Sequence, residues 1–171
     1  NVNFSAGSYN GPGSRSIGVQ ATSTAGCGTS TSSATVTINN VAPSVTLASA
    51  TNGLEGGSIS FSASGSDPGP DTLTYIWDFG DGTSDQGDSL THVFTDNGSF
   101  TVELTVTDGD GGSTSQSSVV TIANIAPVID SLTGTTSTDE GQLEPFTVSV
   151  TDPASSDMAS MSYTWNWGDG T

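Results

Sequence analysis

Tyr75-Ile76-Trp77-Asp78-Phe79-Gly80-Asp81-Gly82-Thr83, then His92-Val93-Phe94, then Gly98-Ser99-Phe100-Thr101-Val102-Glu103-Leu104-Thr105-Val106-Thr107-Asp108 is the stretch that decides the fold. Leu73, Tyr75, Trp77 and Phe79 make one alternating set and Phe100, Val102, Leu104 and Val106 another. A period of two is the signature of strands buried on one face. The Gly80-Asp81-Gly82 insert reads as a turn, because glycine reaches positive φ and an aspartate can accept hydrogen bonds from nearby backbone N–H groups. Outward from this centre, Ser44 to Ala48 and Ser58 to Ala63 alternate in the same way, His92-Val93-Phe94 makes a short strand, and Ser117 to Ile122 a closing one. Turn signals separate them at Asn52-Gly53, Asp67-Pro68-Gly69-Pro70, Asn97-Gly98 and Asp108-Gly109-Asp110-Gly111-Gly112. About seven short strands at this spacing predict an all-β, two-sheet sandwich of immunoglobulin-like architecture. The expected core is Val45, Leu47, Ile59, Phe61, Tyr75, Trp77, Val102, Leu104 and Val106.

The pattern repeats along the chain. Asn40-Val41-Ala42-Pro43 recurs as Asn124-Ile125-Ala126-Pro127, a shift of 84 residues. Glu55-Gly56 recurs as Glu140-Gly141, Asp67-Pro68 as Asp152-Pro153, and Trp77 to Thr83 as Trp165-Asn166-Trp167-Gly168-Asp169-Gly170-Thr171. Backward, Ile17, Val19 and Ala21 fall on Val102, Leu104 and Val106. These matches divide the chain into the C-terminal half of a diverged domain (residues 1–42), a whole domain (43–125) and the N-terminal half of a following one (126–171). A half sandwich leaves an apolar face uncovered. Either the rest of a longer tandem array completes it, or a neighbouring copy does so head to tail and builds a filament.

Composition bounds the function. Of 171 residues, 32% are hydrophobic and 11% charged; one basic residue, Arg15, stands against eighteen acids, for a net charge of −17. Such a surface repels phosphate backbones and acidic partners, which excludes direct nucleic-acid binding and makes divalent cations the natural counterions. No apolar run is long enough to span a membrane, and any export signal lies outside this stretch. The single Cys27 forms no intrachain disulfide, and cysteine and histidine are too few for a zinc site. Lysine is absent, and the chain is poor in good helix formers, so no long helix is expected.

The run from Tyr75 to Thr83, followed by His92-Val93-Phe94 and the Gly98 to Asp108 strand, resembles the PKD (polycystic kidney disease) domain across residues 43–125. The second copy resembles it through Tyr163 to Thr171, with Asn166 in place of the first aspartate, and residues 1–42 do so only weakly. The resemblance implies β-sandwiches in tandem in extracellular and cell-surface proteins, or beside secreted hydrolases, where they space, adhere or bind polysaccharide. It also implies calcium binding at the acidic end of the domain in some members.

Two sets of residues are candidates for ligand chemistry. Asp67 and Asp71, in the loop before the Trp77 strand, and Asp78 and Asp81, after it, offer oxygen ligands for calcium; the alternative is ordinary turn chemistry. Glu55 and Glu140, each about a dozen residues past the joint prolines Pro43 and Pro127, either share a cation with a neighbouring domain or sit solvated in turns. Asp108 and Asp110 read as a hairpin tip, His92 as a packing or hydrogen-bonding residue, and Trp77, Trp165 and Trp167 as core. Asn3-Phe4-Ser5 and Asn97-Gly98-Ser99 are sequons available for N-glycosylation. No activated nucleophile pairs with a base, so no enzyme activity is expected. The sequence therefore points to an extracellular structural or adhesive spacer, stiffened by calcium, in a surface layer, appendage or fibre, whose partners are neighbouring domains or copies. The alternative is a polysaccharide-binding accessory region of a secreted hydrolase. Exposed aromatics on one sheet face would favour that alternative.

Overall fold

The computed structural model describes residues 11–22, 28–48, 50–69 and 71–167. Cys27, the Asn3 sequon and the Gly168 to Thr171 turn lie outside them. Strands β1 (Gly13–Thr22) and β2 (Thr29–Ile38) form a hairpin in unbroken register, from Gly13 opposite Ile38 to Thr22 opposite Thr29. Next come β3 (Ser44–Leu47), β4 (Gly53–Leu54), β5 (Ser58–Ser66), β6 (Thr74–Asp78), β7 (Ser84–Gln86), β8 (Ser89–Val93), β9 (Gly98–Thr107) and β10 (Ser113–Ala123). They make two sheets, ordered β4-β10-β9-β6-β7 and β3-β5-β8. Every pairing in them is antiparallel except that of β4 with β10. This is the expected β-sandwich.

The alternation sets the faces. Val102, Leu104 and Val106 of β9 are buried, as are Ile59 and Phe61 of β5 and Trp77 of β6. Fully burying each aliphatic side chain contributes about 1.5–3 kcal/mol. Phe79, Phe94, Val120 and Ile122 complete the core, whereas Val45, Leu47 and Tyr75 are only partly buried at its edge. Trp77 is wholly enclosed; its ring tilts against Phe61 at 5.6 Å, and its Nε1–H donates to the Gly87 carbonyl at 2.8 Å. The two sheets are also tied by Gln116 on β10. Its Oε1 accepts from Leu47 N at 3.2 Å and its Nε2 donates to Val45 O at 2.9 Å, both on β3.

Two short strands, β4 and β7, go beyond the expected set. β4 has only two residues, paired in parallel with Ile122 and Ala123, so no local alternation announces it.

After the sandwich, β11 (Val128–Thr133) and β12 (Thr147–Thr151) pair antiparallel, followed by the short helix α1 (Ser155–Ser160). The expectation that Trp165 and Trp167 are core residues is not met. They are 42% and 61% exposed and stack on each other at 6.0 Å. The reason lies in the repeat. Trp165 stands where Trp77 stands, but the described residues after Pro127 include no equivalents of β8, β9 and β10, which enclose Trp77 and Phe79. Ile129, Leu132 and Phe146 are exposed for the same reason.

Candidate functional site

The four aspartates grouped by sequence divide between two ends of the sandwich. Asp78 ends β6 and Asp81 sits in the turn that follows, where each serves the backbone. Asp78 Oδ1 accepts from Gly80 N at 2.9 Å, and Asp81 Oδ1 accepts from Thr83 N at 2.9 Å and Thr83 Oγ1 at 2.6 Å. Asp81 Oδ2 meets His92 Nε2 at 2.8 Å. The His92 ring in turn lies flat on Phe79, centroids 3.8 Å apart, and edge-on to Phe94. Gly80 is required here: its φ is +75°, and a Cβ would come within 2.6 Å of the Thr101 carbonyl oxygen. Both oxygens of Asp81 are thus engaged by protein groups.

Partial burial acts to raise the Asp81 carboxyl, but the Thr83 hydrogen bonds and His92 prevail and hold it below the usual carboxylate range. A carboxyl lowered on folding stabilises the fold above its unfolded pKa, about 3.9, and that contribution is lost as pH falls through the folded value. Asp81→Asn should therefore lower the urea midpoint at pH 7, and the gap from the unsubstituted chain should close below about pH 4.

Asp67 and Asp71 lie at the other end, across the length of β6. They gather with Asp108 and Asp110 rather than with Asp78 and Asp81. Loss of hydration, then the charges of Asp110, Asp67 and Asp108, raise the Asp71 carboxyl above its ordinary value. Asp67 Oδ1 accepts from Gly69 N at 2.8 Å, while its Oδ2 is buried without a hydrogen-bond partner. Asp108 is itself buried. Its Oδ1 accepts from Asp110 N at 2.9 Å and Gly112 N at 2.7 Å, and its Oδ2 from Asn40 Nδ2 at 2.9 Å. The Asn40 amide is the largest cause holding the Asp108 carboxyl low, opposed by lost hydration and helped by the backbone N–H groups. Asn40 therefore clamps the first joint onto the β9–β10 hairpin, and Thr114 Oγ1 adds a 2.6 Å bond to the carbonyl of buried Pro43. A cleft of about 200 Å³ runs beside this joint, lined in part by Gly11, Asn40, Asp67 and Asp71.

The second joint is built from Glu55. Its side chain is fully buried; Oε1 accepts from Ile125 N at 2.6 Å, and Oε2 has no hydrogen-bond partner. The next residue, Gly56, approaches Pro153 so closely that an added Cβ would lie 3.0 Å from the proline Cβ. Ser156 Oγ donates to Asp96 Oδ2 at 2.8 Å across the same boundary. Asp157 completes the group: desolvation, then Glu55, Asp152 and Asp96, raise its carboxyl. Of the other joint residues, Pro127 and Glu140 are exposed, Glu140 beside the positive-φ Gly141, so Glu140 does not repeat the buried setting of Glu55. Asn97 is exposed, as glycosylation requires. Asp96 and Asp157 were not singled out by sequence reasoning; Asn40 and Asp152 stand out only through the repeat, Asn40 opening the joint motif and Asp152 matching Asp67.

Residues 40–123 match the family model described as the PKD domain. Over 75 residues the chain is 36% identical to a microbial collagenase of Vibrio alginolyticus, covering 43% of this chain and 9% of that protein. Over 99 residues it is 31% identical to collagenase ColA of Bacillus cereus, covering 51% of this chain and 10% of that one. The chain thus spans about a tenth of either collagenase. Among solved structures, the PKD1 domain of Vibrio anguillarum Epp is 30% identical with a TM-score of 0.42, covering 49% of this chain and 96% of that domain. Through residues 40–123 the chain belongs to the PKD domain family.

Proposed function

We propose that this segment is a noncatalytic extracellular spacer, a tandem run of PKD sandwiches whose joints resist bending, in a surface layer, appendage or large surface protein. The observation that carries the reading is that side chains of the sandwich hold both joints: Asn40 to Asp108 at the first, Glu55 to Ile125 and Asp96 to Ser156 at the second. A linker meant to swing would leave its backbone solvated. Of the four aspartates expected to bind calcium, only Asp67 and Asp71 lie at the first joint, where the unpartnered Asp67 Oδ2 would welcome a cation that stiffens it further. The net charge of −17 would keep such a rod soluble and extended. The half sandwiches would be completed by the adjoining chain or by a neighbouring copy.

A second reading, an accessory region that holds a secreted hydrolase on its polymeric substrate, is favoured by the likeness to collagenases. Against it, Trp77, the equivalent of Trp165 in the whole domain, is enclosed. Co-sedimentation with insoluble collagen, cellulose and chitin separates the two. The spacer reading expects no retention above that of an inert acidic protein; saturable retention on any of the three would replace it with the accessory reading.

A further inference from the structure

The second joint places carboxylates from both sides of a domain boundary around one point. Glu55, just after β4, and Asp96, in the turn before β9, belong to the sandwich; Asp157, in α1, belongs to the segment that follows. One carboxylate oxygen from each lies within 4.8 Å of the others. Two oxygens bound on opposite sides of a calcium ion, each at 2.3–2.6 Å, stand about 4.6–5.2 Å apart. The spacing therefore fits a single coordination sphere.

Two further observations point to a cation rather than to chance crowding. Glu55 is fully buried, yet its Oε2 has no hydrogen-bond partner. A buried ionised oxygen in that state is costly unless a proton or a cation meets it. Asp152 adds a second such atom nearby, its Oδ2 buried and unpartnered while Oδ1 accepts from Ala154 N at 2.9 Å. No side-chain cation is at hand, because the chain has no lysine, its one arginine lies in β1, and its one histidine is bound to Asp81.

We propose that Glu55, Asp96 and Asp157 bind one calcium ion across the joint between the sandwich and the segment that follows it. All-oxygen, anionic and irregular ligands suit calcium, whereas magnesium demands near-ideal octahedra and zinc favours nitrogen and sulfur. Water and backbone carbonyls complete the sphere. The repeat shows what distinguishes this joint. At a shift of 85 residues Asp67-Pro68 falls on Asp152-Pro153, and Gly11 falls on Asp96. Gly11 lines the first-joint cleft beside Asp67 and Asp71, so the same two loops meet there with a glycine where the second joint has a ligand. This ion is distinct from one at Asp67 and Asp71. It rests on the spacer reading only in that it would stiffen a joint.

The test is calcium titration calorimetry on the whole 171-residue chain after chelator treatment, comparing it with Asp157→Asn, Asp96→Asn and Asp108→Asn. Asp157→Asn leaves the sandwich core untouched, so its effect does not depend on refolding of residues 43–125. Asp157→Asn and Asp96→Asn should each remove one equivalent of calcium or weaken it by about 10-fold or more, while Asp108→Asn leaves that equivalent in place. Unchanged stoichiometry and affinity in both joint variants would overturn the site. So would calcium lost only in Asp108→Asn, or no calcium bound by the unsubstituted chain. Co-sedimentation and joint stiffness are read separately, so failure of the spacer reading would leave this result standing.

Discussion

Trp77→Ala should destabilise the sandwich by about 3–5 kcal/mol, enough to leave much of residues 43–125 unfolded at 37 °C. Trp77 is wholly enclosed, packs against Phe61, and lies on β6 between β7 and β9. Alanine would leave a cavity that neither sheet can close, because β6 is held by backbone bonds on both edges. The indole hydrogen bond to Gly87 anchors the start of the β7–β8 connection, so Trp77→Phe isolates a second contribution of about 1 kcal/mol. Equilibrium urea unfolding followed by far-UV circular dichroism reads both. A loss under about 1 kcal/mol for Trp77→Ala would mean that the centre of the sandwich is not where this structure puts it.

Gly112→Ala should open the first joint. An added Cβ would overlap Asp108 Oδ2, and would lie 2.8 Å from both the Ala42 Cα and Asn40 Nδ2. The β9–β10 tip and the Asn40 segment therefore cannot both keep their places. Overpacking of this kind costs about 1–3 kcal/mol, and here most of it falls on the Asn40–Asp108 clamp because the sandwich core lies elsewhere. The expected outcome is a urea midpoint for the sandwich close to that of the unsubstituted chain, together with faster exchange of the Asn40 side-chain amide measured by NMR. Unchanged exchange there would show that the clamp does not hold the joint.

The sandwich was legible because its strands carry their own signal. Val102, Leu104 and Val106 alternate with threonine and glutamate on β9, so one face had to be buried, and Trp77 and Phe61 could only face the same core. What could not be read locally depended on partners far along the chain. Glu55 looks like a solvated turn residue until Ile125, seventy residues later, brings its N–H. Asp71 and Asp78 are close in sequence, yet the extended β6 between them carries them to opposite ends, so the four-aspartate set separates. Asp71 instead meets Asp108 and Asp110 because antiparallel pairing of β6 with β9 sets Thr74 opposite Thr107. The repeat placed Trp165 in a core by analogy with Trp77, and the structure leaves it exposed, because burial needs facing strands that are not found among the described residues after Pro127.

If side chains hold the joints, the separation across the first of them is fixed. With Cys27 replaced by serine and spin labels at Ser32→Cys on β2 and Ser117→Cys on β10, pulsed electron paramagnetic resonance on the whole chain reports the spread of separations across the first joint. One narrow distribution is expected in the unsubstituted background, broadening in Gly112→Ala. A broad distribution already present without that substitution would contradict it, and would make the segment a flexible tether instead of a spacer.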